Sequence, residues 1–149
     1  MRNSTMKFRQ RGVAAIEFAL ILPLLLVLTF ATTEIGRALY EYASVAKSVR
    51  ATARYLAMQN PNTHQTEAAN LVVYGYVTPP SGARPLAANL TTSNVMAPVW
   101  QTAGSAPVIS TVTVGVTGYQ FRSIFTTAFG VTFGTITFSD ITATMRSHS

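Results

Sequence analysis

A long apolar run near the N-terminus carries a single carboxylate, and this combination restricts the fold more than any other feature of the chain. The run extends from Val13 to Ala31, and Glu17 lies inside it. At a rise of ~1.5 Å per residue, a helix of this length covers roughly 28 Å, close to the hydrocarbon thickness of a bilayer. An ionised carboxylate at that depth costs at least ~2.5 kcal/mol. We therefore predict a helix in lipid or in an equally apolar assembly, where Glu17 either meets an opposite charge or snorkels to the membrane face.

The net charge of +6 comes mostly from the residues that precede this run. Arg2, Lys7, Arg9 and Arg11 lie before Gly12, and no acid accompanies them. The remainder has 7 bases (11 − 4) against 5 acids. Because positive residues flanking a first helix stay in the cytoplasm, we predict a single-pass membrane protein with a cytoplasmic N-terminus and an extracytoplasmic C-terminus. The nearly neutral remainder has no clustered basic face, which predicts no nucleic-acid partner.

Three segments resemble a known family. Residues 11–18, Arg-Gly-Val-Ala-Ala-Ile-Glu-Phe, resemble the cleavage-and-assembly signal of a type IV prepilin. Together with Ala-Leu-Ile-Leu-Pro-Leu-Leu-Leu at 19–26, they are similar to the TadE/TadG-like minor pilins of tight-adherence (Tad) pilus systems. Residues 49–55 resemble that family's Ala-Arg-Glu-Gly-Ala-Arg-Tyr element, from which positions 49, 51 and 52 depart. Residues 141–146 resemble its last strand.

The resemblance implies a processing site and an assembly site. A prepilin peptidase would cut after Gly12, so that Val13 becomes the first residue of the mature chain. Glu17 and the adjacent Phe18 would then belong to the assembly signal, with Glu17 meeting the new α-amine of a neighbouring subunit. Such a pair fixes register, because either charge alone in an apolar core is costly.

The function implied by the resemblance is structural. The mature chain would be a minor pilin or pseudopilin that enters a Tad-type adherence pilus or primes its assembly. The resemblance implies a location in the bacterial inner membrane, and in the cell-surface pilus for subunits that have been assembled. Its partners would be the prepilin peptidase, other pilin subunits, Tad inner-membrane assembly proteins and membrane lipid. The sequence leaves its position in the pilus open.

The expected fold is α+β, with a long N-terminal helix packed on a small antiparallel sheet and a short second helix. We predict a basic cytoplasmic leader over 1–12, a transmembrane part over 13–31, an amphipathic continuation over 32–60 and a small extracytoplasmic domain over 61–149. The helix is expected from near Val13 to about Ala57, with a bend at Pro23. One stripe at helical spacing should be buried: Tyr42, Val45, Ala46, Val49, Ala53, Leu56 and Ala57. Glu34, Arg37 and Glu41 should pair on more polar ground.

The rest of the chain predicts one short helix and several strands. The second helix should begin near Thr63 and end at the Pro79-Pro80-Ser81-Gly82 turn. Its apolar side should consist of Ala68, Ala69, Leu71, Val72 and Tyr76. A weak strand is expected over 95–100, at a sheet edge or in a loop because of Pro98. Valines and threonines alternate over 111–117, which predicts a half-buried strand. The last strand changes phase near Ser139-Asp140, which predicts a β-bulge, and residues 124–129 fit a single helical turn.

The sequence contains few residues that could support catalysis or bind a metal. Glu67 and Asp140 are the acids outside the first helix, and Asp140 fits a bulge or turn position. His64 and His148 lie beside a loop and at the C-terminus, and the chain has no cysteine. No set of these residues has a recognised metal-ligand spacing, and no phosphate-binding loop or nucleophile elbow is present. We predict no enzyme activity, no catalytic residue, no metal, no cofactor and no small-molecule substrate.

Three cations follow the apolar run on the helix. Arg50 and Arg54 are one turn apart, and Lys47 lies close to the same side. They either contact anionic lipid headgroups or a partner pilin, or they form a solvated helix face.

Two other interpretations of the N-terminus remain open. A secretory signal peptide fits the basic start and the loose Thr29-Phe30-Ala31 site, but Glu17 and the length of the run disfavour it. An uncleaved anchor would make the chain a periplasmic binding module of the same machinery, which recruits a partner through its sheet edge or its proline-rich loops. The mature N-terminus separates the interpretations, because Val13 indicates a pilin and Met1 indicates an anchor.

Overall fold

The computed structural model describes the backbone of residues 5–124, 127–128, 131–132 and 134–148, and the side chains of residues 12–124 and 134–148. The chain divides into two compact units. The N-terminal unit comprises Met1–Gly36 and Ser123–Gly134, and the C-terminal unit comprises Arg37–Arg122 and Thr135–Ser149. Helices and short antiparallel strands form these units, which confirms the α+β class.

Helix α1 extends over Thr5–Leu56. Its end lies one residue before the predicted Ala57, but the predicted start near Val13 is wrong. No proline precedes Gly12, and a glycine inside a helix costs only ~1 kcal/mol, so the basic segment continues the helix. Pro23 lies within α1, and the helix continues past it.

The N-terminal unit contains a hairpin besides the first part of α1. Strand β4, Thr127–Ala128, pairs with strand β5, Val131–Thr132, in antiparallel fashion. The helical turn predicted over 124–129 is therefore wrong at Thr127 and Ala128, whereas Phe125 and Phe129 lie outside the described residues. Threonine and valine are β-branched and favour strands, which explains the error.

In the C-terminal unit, the second half of α1 buries most of the predicted stripe. Val45, Ala46, Val49, Ala53, Leu56 and Ala57 are buried in one hydrophobic cluster. Tyr42 is 38% exposed, so its predicted burial is wrong. Its ring lies at the margin of the core, with its centroid 5.2 Å from that of Phe138.

Helix α2, Gln65–Tyr74, covers the cluster from another side. Ala68 and Val72 are fully buried as predicted, and Val73 is buried as well. The helix ends before the predicted proline turn because Gly75 adopts φ +77° and donates its N–H to the carbonyl of Leu71. Tyr76 therefore lies beyond the helix and is 57% exposed, contrary to expectation.

A three-stranded antiparallel sheet completes this core. Its order is β1 (Val99–Ala103), β2 (Ile109–Val116) and β7 (Ile141–Arg146). Val112, Val114 and Val116 are buried, which confirms the alternation in β2. The weak strand predicted over 95–100 lies later in the chain, and Val95 makes only an isolated bridge to Val116. Pro98 immediately precedes edge strand β1, where a missing N–H costs least.

The predicted bulge near Asp140 is wrong. Strand β6, Ile136–Thr137, pairs with β3, Gln120–Phe121, whereas β7 pairs with β2. The change of phase therefore marks a junction between strands of different sheets. Phe138 still packs against the core cluster that contains Ile141, as predicted, but the reason is the chain crossing between sheets.

Candidate assembly surface and polar contacts of the first helix

The predicted processing and assembly residues lie on α1 with exposed side chains. A Cβ added to Gly12 would meet no atom within 4 Å, so packing in the described residues does not require glycine there. Val13 is 57% and Phe18 is 61% exposed. Glu17 is exposed as well, and it has no hydrogen-bond or ion-pair partner within the described part of the chain.

The first part of α1 presents an apolar surface that its own unit leaves open. Nine large apolar side chains between residues 13 and 28 are 39–74% exposed: Val13, Ile16, Phe18, Leu20, Ile21, Leu22, Leu24, Leu25 and Leu28. Among the described residues, α1 is long and apolar enough to cross a membrane, judged by length and composition. Such a surface requires lipid or other apolar protein around it.

Threonines near the end of the apolar run satisfy their own hydroxyl donors. The hydroxyls of Thr29, Thr32 and Thr33 each donate a 2.8 Å hydrogen bond to the carbonyl four residues earlier. A hydroxyl bonded in this way needs no water partner, so these polar residues are compatible with an apolar environment.

Glu34 is buried in the N-terminal unit, although the sequence predicted polar ground. Its exposed fraction is 4%, and its Oε2 accepts the backbone N–H of Ile124 at 3.2 Å. The carboxylate therefore links the chain segment that begins at Ser123 to α1 within this unit.

Glu41 has both carboxylate oxygens occupied in the C-terminal unit. The Tyr119 hydroxyl donates to Oε2 at 2.6 Å, and Arg37 Nη2 lies 3.3 Å from Oε1. The Arg37 guanidinium also stacks over the Phe121 ring, 5.2 Å from its centroid. The predicted Arg37–Glu41 pair is confirmed, and Glu41 is buried in it, with only 9% of the residue exposed.

These contacts raise the pKa of Tyr119 well above its usual range. Burial is the largest cause because it disfavours the phenolate, and the hydrogen bond to Glu41 and its negative charge act in the same direction. The Arg37 charge opposes them. Tyr119 therefore remains a neutral donor to Glu41 at neutral pH.

The sequence contained a signal for this arrangement. Glu41, Val45, Ser48, Thr52 and Leu56 follow one another at three- and four-residue spacing, and all five are buried. The two hydroxyls bond backwards to the carbonyls of Val45 and Ser48, at 2.8 and 2.9 Å. An acid in phase with a buried stripe indicates a partner inside the domain, but the identity of that partner requires the fold.

Lys47, Arg50 and Arg54 are exposed on the opposite side of α1 from this stripe. Neither the Arg37–Glu41 pair nor the His64–Glu67 pair includes any of them. The structure therefore leaves the three predicted contact residues open to a partner outside the described residues.

A groove of about 560 Å³ lies beside edge strand β1, and its lining lacks an ionisable side chain. Trp100 lines it, and the indole Nε1 is buried with no hydrogen-bond partner in the described part of the chain. No group of three or more His, Cys, Asp or Glu residues that could hold a metal occurs among the described residues.

A comparison with protein families gives a match that lies on α1. Residues 12–54 match the family model described as TadE-like protein. Over these residues the chain is similar to TadE-like proteins. The match confirms the resemblance predicted for the segments within residues 12–54, whereas the resemblance of residues 141–146 stays a prediction. The TadE-like family implies a structural, pilin-like protein associated with Tad pili, which fits a membrane-anchored chain that interacts with other pilus components. Neither the curated proteins nor the solved structures give a match.

Proposed function

We propose that this TadE-like chain is a minor pilin or pseudopilin whose precursor is cut between Gly12 and Val13 by a prepilin peptidase. The observation that carries the proposal is the start of the family match at residue 12. The basic residues before Gly12 lie outside the match, as expected for a leader that is removed. The mature subunit then enters a Tad pilus or primes its assembly.

The exposed apolar part of α1 supports assembly on energetic grounds. The helix leaves lipid for a filament core of similar polarity, so its large side chains do not meet water during transfer. Glu17 pairs in that core with the α-ammonium of Val13 in an adjacent subunit. The pair contributes little net stability but fixes the axial register, because either charge alone there is costly.

Each stretch of the chain has a role in this function. Residues 1–12 form the cytoplasmic leader, 13–31 cross the inner membrane, 32–60 continue the helix, and 61–149 form the extracytoplasmic domain. With the proposed cytoplasmic N-terminus, a single pass through the membrane would put the C-terminus outside the cytoplasm.

A second candidate is an uncleaved, membrane-anchored binding module of the same machinery. The continuation of α1 back to Thr5 favours it, because a scissile bond inside a helix is less accessible to a peptidase. N-terminal sequencing and intact mass of the full chain, extracted from membranes that contain the peptidase, separate the two. A chain that begins at Val13 supports the pilin, and one that begins at Met1 refutes cleavage and supports the anchored module.

A further inference from the structure

One exposed face of α1 combines apolar and basic side chains. Lys47, Arg50 and Arg54 follow one another at three- and four-residue spacing, which places them on one side of the helix. Leu39, Tyr40 and Ala43 continue this side towards the N-terminus. Leu39 is 63% and Tyr40 is 75% exposed. We call these six residues the exposed stripe.

The composition of the exposed stripe is typical of a protein interface. Tyrosine and arginine are enriched among the residues that dominate binding energy, because each supplies a large contact area and a directional polar group. An exposed leucine beside them adds apolar area that water does not favour. A complementary partner would therefore be apolar where it contacts Leu39 and acidic where it contacts the three cations.

A second copy of this chain does not supply that acidic surface. Glu41 is buried against Tyr119 and Arg37, Glu34 is buried, and Glu67 lies beside His64. Glu17 lies in the apolar run, which leaves the exposed Asp140 and the Glu67 side chain, 38% exposed beside His64, as the accessible acids of the C-terminal unit. Two separate carboxylates do not balance three cations on one helix face, so charge complementarity favours a different protein.

Lipid headgroups are also a poor match for the cations. Lys47 follows Ala31, the proposed end of the membrane segment, by 16 positions (47 − 31). A helical rise of ~1.5 Å per residue converts this to roughly 24 Å, whereas the headgroup region of one leaflet is roughly 5–8 Å thick.

We propose that the exposed stripe docks the acidic surface of a second, non-identical pilin subunit. Leu39 and Tyr40 contact an apolar patch of that subunit, and Lys47, Arg50 and Arg54 pair with its carboxylates. The proposal rests on the proposed pilus function and adds the chemistry of the partner. It requires that the position of these three cations, and not the net charge of the chain, determines whether the subunit enters pili.

Charge reversal in the full-length chain tests this requirement. The variant K47E/R50E/R54E should lower the amount of subunit in sheared pili at least tenfold relative to wild type. The matched control R84E/R122E/R146E reverses three other exposed arginines with the same change in net charge, and it should stay within twofold of wild type. Equal loss in both variants, or no loss in the first, overturns the proposal.

A photo-crosslinking amino acid at Ala43, the small residue in the middle of the stripe, identifies the partner in intact cells. A cross-linked peptide from a different pilus subunit, with carboxylates nearby, supports the proposal. A cross-link to a second copy, to lipid or to a protein outside the pilus overturns it, and so does the absence of any cross-link. The mature N-terminus is read in parallel: a chain that begins at Met1 refutes the cleavage proposal, whereas the cross-link still reports on the stripe.

Discussion

Two carboxylates of α1 differ in how well their roles could be predicted from the sequence. Glu17 interrupts an apolar run, so its position alone indicates a special role. Glu41 stands four residues after Arg37 and resembles an ordinary surface acid. Its phenol partner, Tyr119, is 78 positions away in the chain, and no local pattern connects the two. The sequence therefore predicted the helical ion pair and missed the hydrogen bond across the fold.

Substitutions at Glu17 separate processing from assembly. Glu17 lies beyond the proposed scissile bond, so we expect Glu17→Ala to be cleaved normally but largely lost from pili, because the Val13 ammonium of a neighbour then lacks its counter-charge. Glu17→Asp should be intermediate, and Glu17→Gln should resemble alanine. The measurement is the mature subunit in the pilus fraction, with cleavage followed by mass. Normal incorporation of the alanine variant would leave Glu17 as a snorkelling residue.

The hydrogen bond between Tyr119 and Glu41 should contribute measurably to stability. Tyr119→Phe removes the hydroxyl and leaves one buried carboxylate oxygen without its donor, so we expect a loss of about 1.5–3 kcal/mol. The measurement is urea unfolding of the full chain in mild detergent, followed by the fluorescence of Trp100, the single tryptophan. Tyr40→Phe, which removes an exposed hydroxyl, serves as the control.

The raised pKa of Tyr119 also predicts a pH dependence. An acid whose pKa is higher in the folded state stabilises the fold fully below its unfolded pKa, near 10, and this contribution is lost as pH rises through the folded pKa. Wild type should therefore lose stability more steeply above pH 10 than Tyr119→Phe. Parallel stability curves for the two proteins between pH 9 and 11 would contradict the assignment.

At the scale of elements, α1 has two faces that serve different purposes in the C-terminal unit. One face is buried against α2 and the sheet, and the opposite face carries the exposed stripe. Apolar periodicity predicted the first face well, because burial by the domain follows the helical repeat. It gave no information on whether another protein covers the second face.

A matched pair of leucine truncations distinguishes the two faces. Leu56 is fully buried, so Leu56→Ala should cost about 2–5 kcal/mol in the unfolding assay. Leu39 is mostly exposed, so Leu39→Ala should change stability by no more than about 0.5 kcal/mol while lowering incorporation into pili. Equal stability losses would mean that the domain itself buries Leu39.

The strands near the C-terminus show where alternation is ambiguous. A change of phase is compatible with a bulge inside one strand and with two strands that belong to different sheets, because both displace the pattern by one residue. Only long-range pairing separates them: Ile136 pairs with Phe121, whereas Ile141 pairs with Val116. A single sequence does not encode those partners locally.

Phe138 should contribute to the stability of the fold even though it does not lie beside a bulge. Its ring stacks on Tyr119 at a centroid distance of 5.9 Å and also meets Tyr42, but it is only partly buried. We expect Phe138→Ala to cost about 2–3 kcal/mol, below the ~3–5 kcal/mol of a fully buried ring. Ile136→Ala in the exposed neighbouring strand is the control, and an equal loss there would show that Phe138 has no special packing role.

For the whole molecule, the sequence predicted the class and the anchor better than the sheet. The apolar run, the α+β organisation and the TadE-like resemblance depend on contiguous residues, which a sequence displays directly. The burial of Glu34 and the division of the last strand depend on contacts between residues that are distant in the chain. Such contacts form only in the folded protein, so local sequence patterns did not predict them. The pairing of β4 with β5 is local, and it was missed because an apolar helical spacing was preferred over the β-branched residues.

Gly12→Val tests the processing of the whole chain. The added side chain hinders close approach of a peptidase to the scissile bond, so we expect a precursor that keeps its first twelve residues. Gly36→Val places the same side chain at another open position of α1 and should mature normally. Intact mass of the membrane-extracted chains gives the result, and normal maturation of the Gly12 variant would refute the cleavage site.

The threonines that bond back to α1 have a mechanical consequence. Because the hydroxyls of Thr29, Thr32 and Thr33 donate within the helix, none of these three donors requires a water molecule at this end of the apolar segment. We therefore expect them to oppose a shift of the helix along its axis less than hydroxyls with free donors would. A subunit that is drawn out of a bilayer benefits from such axial freedom.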